Sequence, residues 1–371
     1  MAQSRTEPLT SLDQVDVIVE ADGHVTDTPE ITFPYMDEEF DDVKEFYERS
    51  PAPGVENRPS SVATPLYLYE YMKRREGRDG FTFFEAQDLG PLRDAMEEHG
   101  VDKTVVNNLG SGPFRMPRHA MAISNAYNNW LVEELRDHDD IFGNMMVTPY
   151  APDHSASEIR RVGDDPSIVG AQFLGSSVQP LLNDEKYEPI WEAATEVGLP
   201  VCIHTGTGPR AFPQQYHWSE TYVEDHVSAH PMQHMSLVTS LVLGGVFERH
   251  PDLEILMQEA GIGYVPYLMK RLDDTYTALG YDLPELTKPP SDYIRDHVYF
   301  STQPLGHTAK NPVRIAWLIE MIGVDNVLWS ADIPHPDFDT PEELFNRIKG
   351  QFDAEALNKI MGRNAERLFG I

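Results

Sequence analysis

Four short segments bring carboxylates and imidazoles to the ends of apolar runs. They are Glu20-Ala21-Asp22-Gly23-His24, Cys202-Ile203-His204-Thr205-Gly206, Gln258-Glu259-Ala260-Gly261 and Trp329-Ser330-Ala331-Asp332-Ile333-Pro334-His335. Asp22 and His24 lie two apart, so an extended segment turns both to the same side. With His204 and Asp332 they form a set of two carboxylates and two imidazoles. Such nitrogen and oxygen donors suit a divalent ion, zinc first and manganese or iron as alternatives, and two carboxylates balance its charge. The set leaves positions open for water or substrate. With 14 His and 61 acidic residues, a single Asp-x-His arises easily by chance. Ligand-type residues at three separate strand ends are harder to attribute to chance.

Other residues carry two readings each. Arg210, soon after His204, can clamp a substrate carboxylate in bidentate fashion or lie on a surface loop. His335 can orient the neighbouring Asp332 or serve loop packing. Within AHPMQHM, at most one of His230 and His234 is expected at the site, given a helix that begins at Met232. Phe33, Tyr35, Phe40, Tyr67 and Tyr69 are expected to pack against the body of the protein in preference to walling a pocket.

A scaffold must gather these segments. From about residue 100 onward, short β-branched runs alternate with amphipathic stretches of ten or more residues, the pattern of parallel β/α units. Strands are predicted at Val15–Glu20, Lys103–Asn107, Phe142–Val147, Val169–Phe173, Pro200–His204, Glu254–Met257, Val298–Ser301 and Val327–Trp329. Helices are predicted at Gln87–His99, His119–Arg136, Asp184–Val197, Met232–Glu248, Gly263–Thr277, Pro312–Ile322 and Thr340–Lys349. Right-handed crossovers through these helices close an α/β fold of the (β/α)8 TIM-barrel type, in which chemistry sits at the carboxyl ends of the strands. Residues 32–80, rich in Pro, Gly, charge and aromatics, read as an insertion over the barrel mouth. The chain is otherwise one domain spanning 1–371.

Composition narrows the function. The 371 residues carry 61 Asp and Glu against 29 Lys and Arg, a net charge of −32 spread along the chain. That surplus repels phosphate backbones and anionic lipid, so nucleic acid and membrane are not expected partners, and a small-molecule substrate is. A solvated acidic surface of this size suits a halophilic setting, where multimolar salt screens self-repulsion. Cys202 stands alone, which disfavours disulfides and thiolate metal sites. No apolar signal segment or membrane-length run is present, so the expected location is cytoplasmic. No GxGxxG after a strand, GxxxxGK[ST] or GxSxG motif occurs, which argues against dinucleotide, P-loop and serine-hydrolase chemistry.

Taken together, GLPVCIHTG, GGVFERHPDLEILMQEAG, VLWSADIPHPD and the closing GRNAERLFGI resemble the amidohydrolase superfamily. The resemblance is to its amidohydrolase-related family 2, the branch of aminocarboxymuconate-semialdehyde decarboxylase and metal-dependent aryl-acid decarboxylases. It runs from about Val17 to the C-terminus. It implies a distorted barrel with one divalent ion at the strand ends, held by Asp22 and His24 in place of the family's His-x-His or Glu-x-His, by His204, and by Asp332, which also moves protons. The family's decarboxylases carry a His at the sixth strand end, in a Gly-His-x-Gly setting, where this chain has Glu259. Val169–Phe173 offers no Lys of the kind that bridges two metals in binuclear relatives. The resemblance therefore implies a mononuclear carbon–carbon lyase with Asp332 or Glu259 as the acid. A mononuclear hydrolase of an amide, lactone or ester is the alternative, and an inactive ligand-binding barrel a third reading. By analogy the chain pairs as a homodimer.

Overall fold

The computed structural model describes residues 9–25, 27, 29–49, 89–108, 116–175, 178–206, 222–283, 286–305, 313–333 and 338–371. Within them, eight parallel strands follow one another round a single sheet: β1 (Val19–Val25), β2 (Lys103–Asn108), β3 (Ile141–Met146), β4 (Ile168–Leu174), β5 (Val201–His204), β6 (Ile255–Gln258), β7 (Val298–Ser301) and β8 (Val327–Leu328). Helices cover them: α1 (Pro29–Thr32), α2 (Asp41–Arg49), α3 (Gly90–His99), α4 (Pro117–Leu135), α5 (Pro152–Val162), α6 (Glu188–Val197), α7 (Tyr222–Leu243), α8 (Val246–Arg249), α9 (Val265–Leu279), α10 (Pro290–His297), α11 (Val313–Ile322), α12 (Pro341–Ile348), α13 (Ala354–Asn358) and α14 (Asn364–Phe369). This is the expected (β/α)8 barrel. Almost every strand residue is buried because both faces are covered.

The first strand differs from expectation. The apolar run predicts Val15–Glu20, but the paired segment is Val19–Val25 and carries Asp22 and His24 within it. The register moves from Glu20 opposite Thr104 to Gly23 opposite Val106, so β1 holds one extra residue there, a β-bulge that re-aims side chains. Glycine is required at 23, since a Cβ would stand 2.7 Å from Thr104 Oγ1.

Helix α7 also departs from expectation. It starts near residue 222, runs through Pro231, and ends before Gly244 and Gly245, the latter in the left-handed region at φ 67°. Proline is a common stop signal, which placed the start at Met232. Here packing outweighs the one backbone hydrogen bond that Pro231 cannot donate. Of the expected insertion, residues 32–49 are described. They pack against α4 and the first turn of α5: Asn125 donates to Asp37 Oδ2 at 2.8 Å, Arg118 pairs with Asp42, and Phe40 is fully buried with its ring against His154. Phe33 is buried and Tyr35 half-exposed. Tyr67 and Tyr69 lie outside the described residues.

The last helix, α14, closes the barrel at the amino ends of the strands. Ala365, Leu368 and Phe369 join Val19, Val105, Leu256 and Leu328 in one buried apolar cluster. Gly362 lets the chain pass so near the Val17 carbonyl that any side chain would overlap it.

Candidate metal centre at the strand ends

The carboxyl ends of β1, β5, β6 and β8 converge. One donor atom from each of Asp22, His24 and His204 lies within 4.8 Å of the other two, and all three residues are buried. His24 Nε2 is 2.9 Å from Asp332 Oδ1 and 3.9 Å from Asp22 Oδ1. His204 Nε2 is 3.7 Å from Asp22 Oδ1 and 3.1 Å from Glu259 Oε2. The two imidazole rings meet edge to face with centroids 4.9 Å apart. His204 Nδ1 lies 2.7 Å from the Thr205 carbonyl, which can only accept, so Nδ1 carries the proton and Nε2 presents its lone pair to the site.

Backbone conformation at the rim is unusual in just the residues with candidate chemistry. Among the described residues the non-glycine residues with positive φ are Glu259 at 62° and Asp332 at 67°. Each such residue costs about 1–3 kcal/mol and persists only where its surroundings hold it. Glu259 directly follows β6 and Asp332 lies four residues past the end of β8, where the chain leaves the barrel and the side chains meet the imidazoles.

A row of buried amides fixes Asp22. Asn107 Nδ2 on β2 donates to Asp22 Oδ1 at 2.8 Å, and Asn144 Nδ2 on β3 donates to Asn107 Oδ1 at 2.8 Å. Gly170 on β4 leaves the room that Asn144 fills. From across the barrel, Gln258 Nε2 donates to the Ala21 carbonyl at 2.8 Å. Asp22 Oδ2 remains without a hydrogen-bond partner although fully buried. Burial, and then the nearby Glu20 charge, push the Asp22 carboxyl well above the usual carboxylate range against the Asn107 bond. Burial likewise pushes Glu20 up to about 7, opposed by the N–H groups of Asp22, Ala331 and Asp332. Crowded buried carboxylates with a vacant oxygen, beside imidazole lone pairs, are the donor chemistry that a divalent cation satisfies.

Helix α7 supplies two imidazoles where at most one was expected. Because the helix begins a full ten residues before Met232, His230 and His234 lie on one face, four apart, and both are buried. His230 Nδ1 is 3.1 Å from the Glu259 carbonyl, and His234 Nδ1 is 3.3 Å from the Tyr264 hydroxyl. Burial, then the proximity of His204, holds His234 down to about 3, so it stays neutral. Arg210 and His335 lie outside the described residues. Glu20, Asn107 and Asn144 were not singled out in the sequence. Their signal was a polar residue inside an otherwise apolar buried strand.

The amidohydrolase family model matches residues 20–371, nearly the whole chain. The chain belongs to the amidohydrolase family. Among curated relatives of this amidohydrolase, gamma-resorcylate decarboxylase of Rhizobium sp. (strain MTP-10005) is 26% identical over 286 residues, covering 74% of this chain and 84% of the relative. The 2-amino-3-carboxymuconate-6-semialdehyde decarboxylase of Dictyostelium discoideum is 25% identical over 267 residues, covering 70% of each. Among solved structures, 5-carboxyvanillate decarboxylase from Novosphingobium aromaticivorans, complexed with manganese and 4-hydroxy-3-methoxy-5-nitrobenzoic acid, shares the fold with a TM-score of 0.70. It is 21% identical and covers 99% of this chain and 100% of that one. Among the described residues of the amidohydrolase, no helix is long and apolar enough to cross a membrane.

Proposed function

We propose that this amidohydrolase is a metal-dependent carbon–carbon lyase that decarboxylates a small carboxylated aromatic or muconate-like acid. The convergence of the Asp22, His24 and His204 donors within 4.8 Å, with Asp332 against His24, carries the reading. The decarboxylases among its relatives support the reaction class. Asp22, His24, His204 and Asp332 would hold one divalent ion. When bound, that ion supplies positive charge against which a substrate carboxylate and its neighbouring oxygen are held and negative charge on carbon is stabilised. A mixed carboxylate and imidazole set suits manganese as well as zinc, and manganese is the ion recorded in the 5-carboxyvanillate enzyme.

Asp332 and Glu259 bring carboxyl oxygens to 2.9 Å from His24 Nε2 and 3.1 Å from His204 Nε2, closer than Asp22 Oδ1 at 3.9 and 3.7 Å. One of them delivers a proton to the carboxyl-bearing carbon. The C–C bond then breaks, its electron pair returns to the conjugated system, and CO₂ leaves. The carboxylate recovers its proton from water as product departs. Burial of the site keeps water from competing during the step. Glu259, in place of the imidazole that the family's decarboxylases carry at the sixth strand end, favours a second reading, hydrolysis of an amide, lactone or ester.

Elemental analysis of protein purified in high salt tests the first element. About one manganese or zinc per chain is expected, with less in Asp332→Asn, and loss of turnover on chelation with recovery on adding metal. Two ions per chain would overturn the mononuclear site. CO₂ release from 2,6-dihydroxybenzoate, 5-carboxyvanillate and muconate-like acids, run beside amides and lactones, decides between lyase and hydrolase. We further propose a halophilic cytoplasmic enzyme, a homodimer, with residues 32–80 covering the mouth and Arg210 and His335 serving substrate and Asp332. Its melting temperature should rise from dilute buffer to multimolar KCl, and a flat response would sink the halophilic reading. Sedimentation in the same salt reads the dimer.

A further inference from the structure

We propose that Glu20 is the positioning residue of the metal centre, a buried carboxylate that ties the donor-bearing ends of β1 and β8 together. The inference rests on the reading of Asp22 and Asp332 as ligands. Glu20 is completely buried, in the strand that carries Asp22. Its Oε1 accepts the Asp22 N–H at 2.7 Å and the Asp332 N–H at 3.4 Å, and its Oε2 accepts the Ala331 N–H in a short bond. The sheet order runs from β1 to β8, so this is the seam where the barrel closes. The His24 N–H also crosses it, donating to the Ile333 carbonyl at 2.7 Å.

The chemistry selects a carboxylate. Three N–H donors converge on one side chain, and only a group with two acceptor oxygens and no hydrogens satisfies all of them. A glutamine of the same size would turn its NH₂ toward at least one N–H, and an aspartate would fall a methylene short. Asp332 sits at φ 67°, so its backbone needs such anchoring to hold the side chain toward His24. The same oxygen that holds Asp332 also holds Asp22. A shift of Glu20 therefore moves two donors at once, one from each side of the seam.

The test uses the full chain in high salt with Glu20→Gln, Glu20→Asp, Asp22→Asn and, as a stability control from the opposite barrel end, Leu368→Ala. Two quantities are read: the Mn²⁺ dissociation constant, and hydrogen exchange in peptides covering 327–333. Glu20→Gln should weaken Mn²⁺ binding at least tenfold, the size seen when partners behind metal ligands are lost, and accelerate exchange at Ala331 and Asp332. Leu368→Ala should lower the melting temperature and leave both quantities near native. If Glu20→Gln does not fold, Glu20→Asp carries the same two measurements. Native Mn²⁺ affinity with native exchange overturns the proposal, as does an equal effect of Leu368→Ala. If the native chain and Asp22→Asn both bind no Mn²⁺, the metal reading fails by itself, and unchanged exchange at 331 and 332 in the Glu20 variants then overturns this inference.

Discussion

At the amino ends of the strands the barrel is filled by Val19, Val105, Leu256 and Leu328 under Leu368 and Phe369, all apolar. At the opposite rim stand Asp22 on β1, Asn107 on β2, His204 on β5 and Asp332 just past β8, equally buried and polar. Backbone geometry separates the ends further, since the left-handed non-glycine residues among the described residues, Glu259 and Asp332, stand at the polar rim. Burial alone therefore does not distinguish core from site. The two ends differ in whether burial is repaid by contact, as at the plug, or left with crowded carboxylates and a vacant Asp22 oxygen. One end maintains the fold and the other spends stability on chemistry, a division common to barrels of this type.

Single substitutions can break that contrast. The largest effect is expected for Asp332→Asn: turnover falls on the order of a thousandfold, the range of a lost proton-transfer group, while the melting temperature is unchanged or rises because Asn tolerates the left-handed backbone. A matching collapse of stability would mean that the rim is structural after all. Phe369→Ala at the plug is the converse. It should cost about 3–5 kcal/mol in denaturant unfolding and leave turnover per folded molecule near native. Glu259→Gln should reduce turnover on the order of a hundredfold if it is the acid and shift metal affinity little; a large loss of metal with modest loss of turnover would make it a ligand instead.

The smallest effect sharpens the comparison away from both ends. His297 stacks on Phe247 with centroids 4.6 Å apart, and its Nδ1 lies 3.1 Å from the Leu253 carbonyl. Burial holds its imidazole below the ordinary range, outweighing the Leu253 bond. The unfolded chain therefore takes up this proton first, and stability falls as pH drops below about 6.5, with a slope of at most about 1.4 kcal/mol per pH unit. His297→Phe should flatten that part of the profile, measured as melting temperature between pH 7 and 5. An unchanged slope would assign the acid sensitivity to other groups.

Much of the scaffold was legible because it is local and periodic. Seven of the strand positions could be placed from β-branched runs alternating with helices, and β7 coincides with its expected span, Val298–Ser301. The first strand was misplaced because a bulge at Gly23 carries the pairing into a polar segment that looks like a loop. The start of α7 was missed because Pro231 stops most helices and does not stop this one. Within the candidate site, Asp22, His24, His204, Glu259 and Asp332 were visible as ligand-type residues at strand ends. His230 and His234 were legible as candidates of which at most one was expected at the site, whereas Asn107 and Asn144 were not legible, since nothing in their neighbours along the chain says what they face.

What the sequence by itself determined is therefore the barrel and the ligand-type residues at its strand ends, since periodicity and short strand-end motifs are properties of neighbouring residues. What only the tertiary structure decided is the meeting of those donors. Glu20 is 311 and 312 residues from the N–H groups of Ala331 and Asp332 that it accepts. Such a contact depends on how a closed sheet brings its first and last strands together, and a one-dimensional pattern carries no record of that closure.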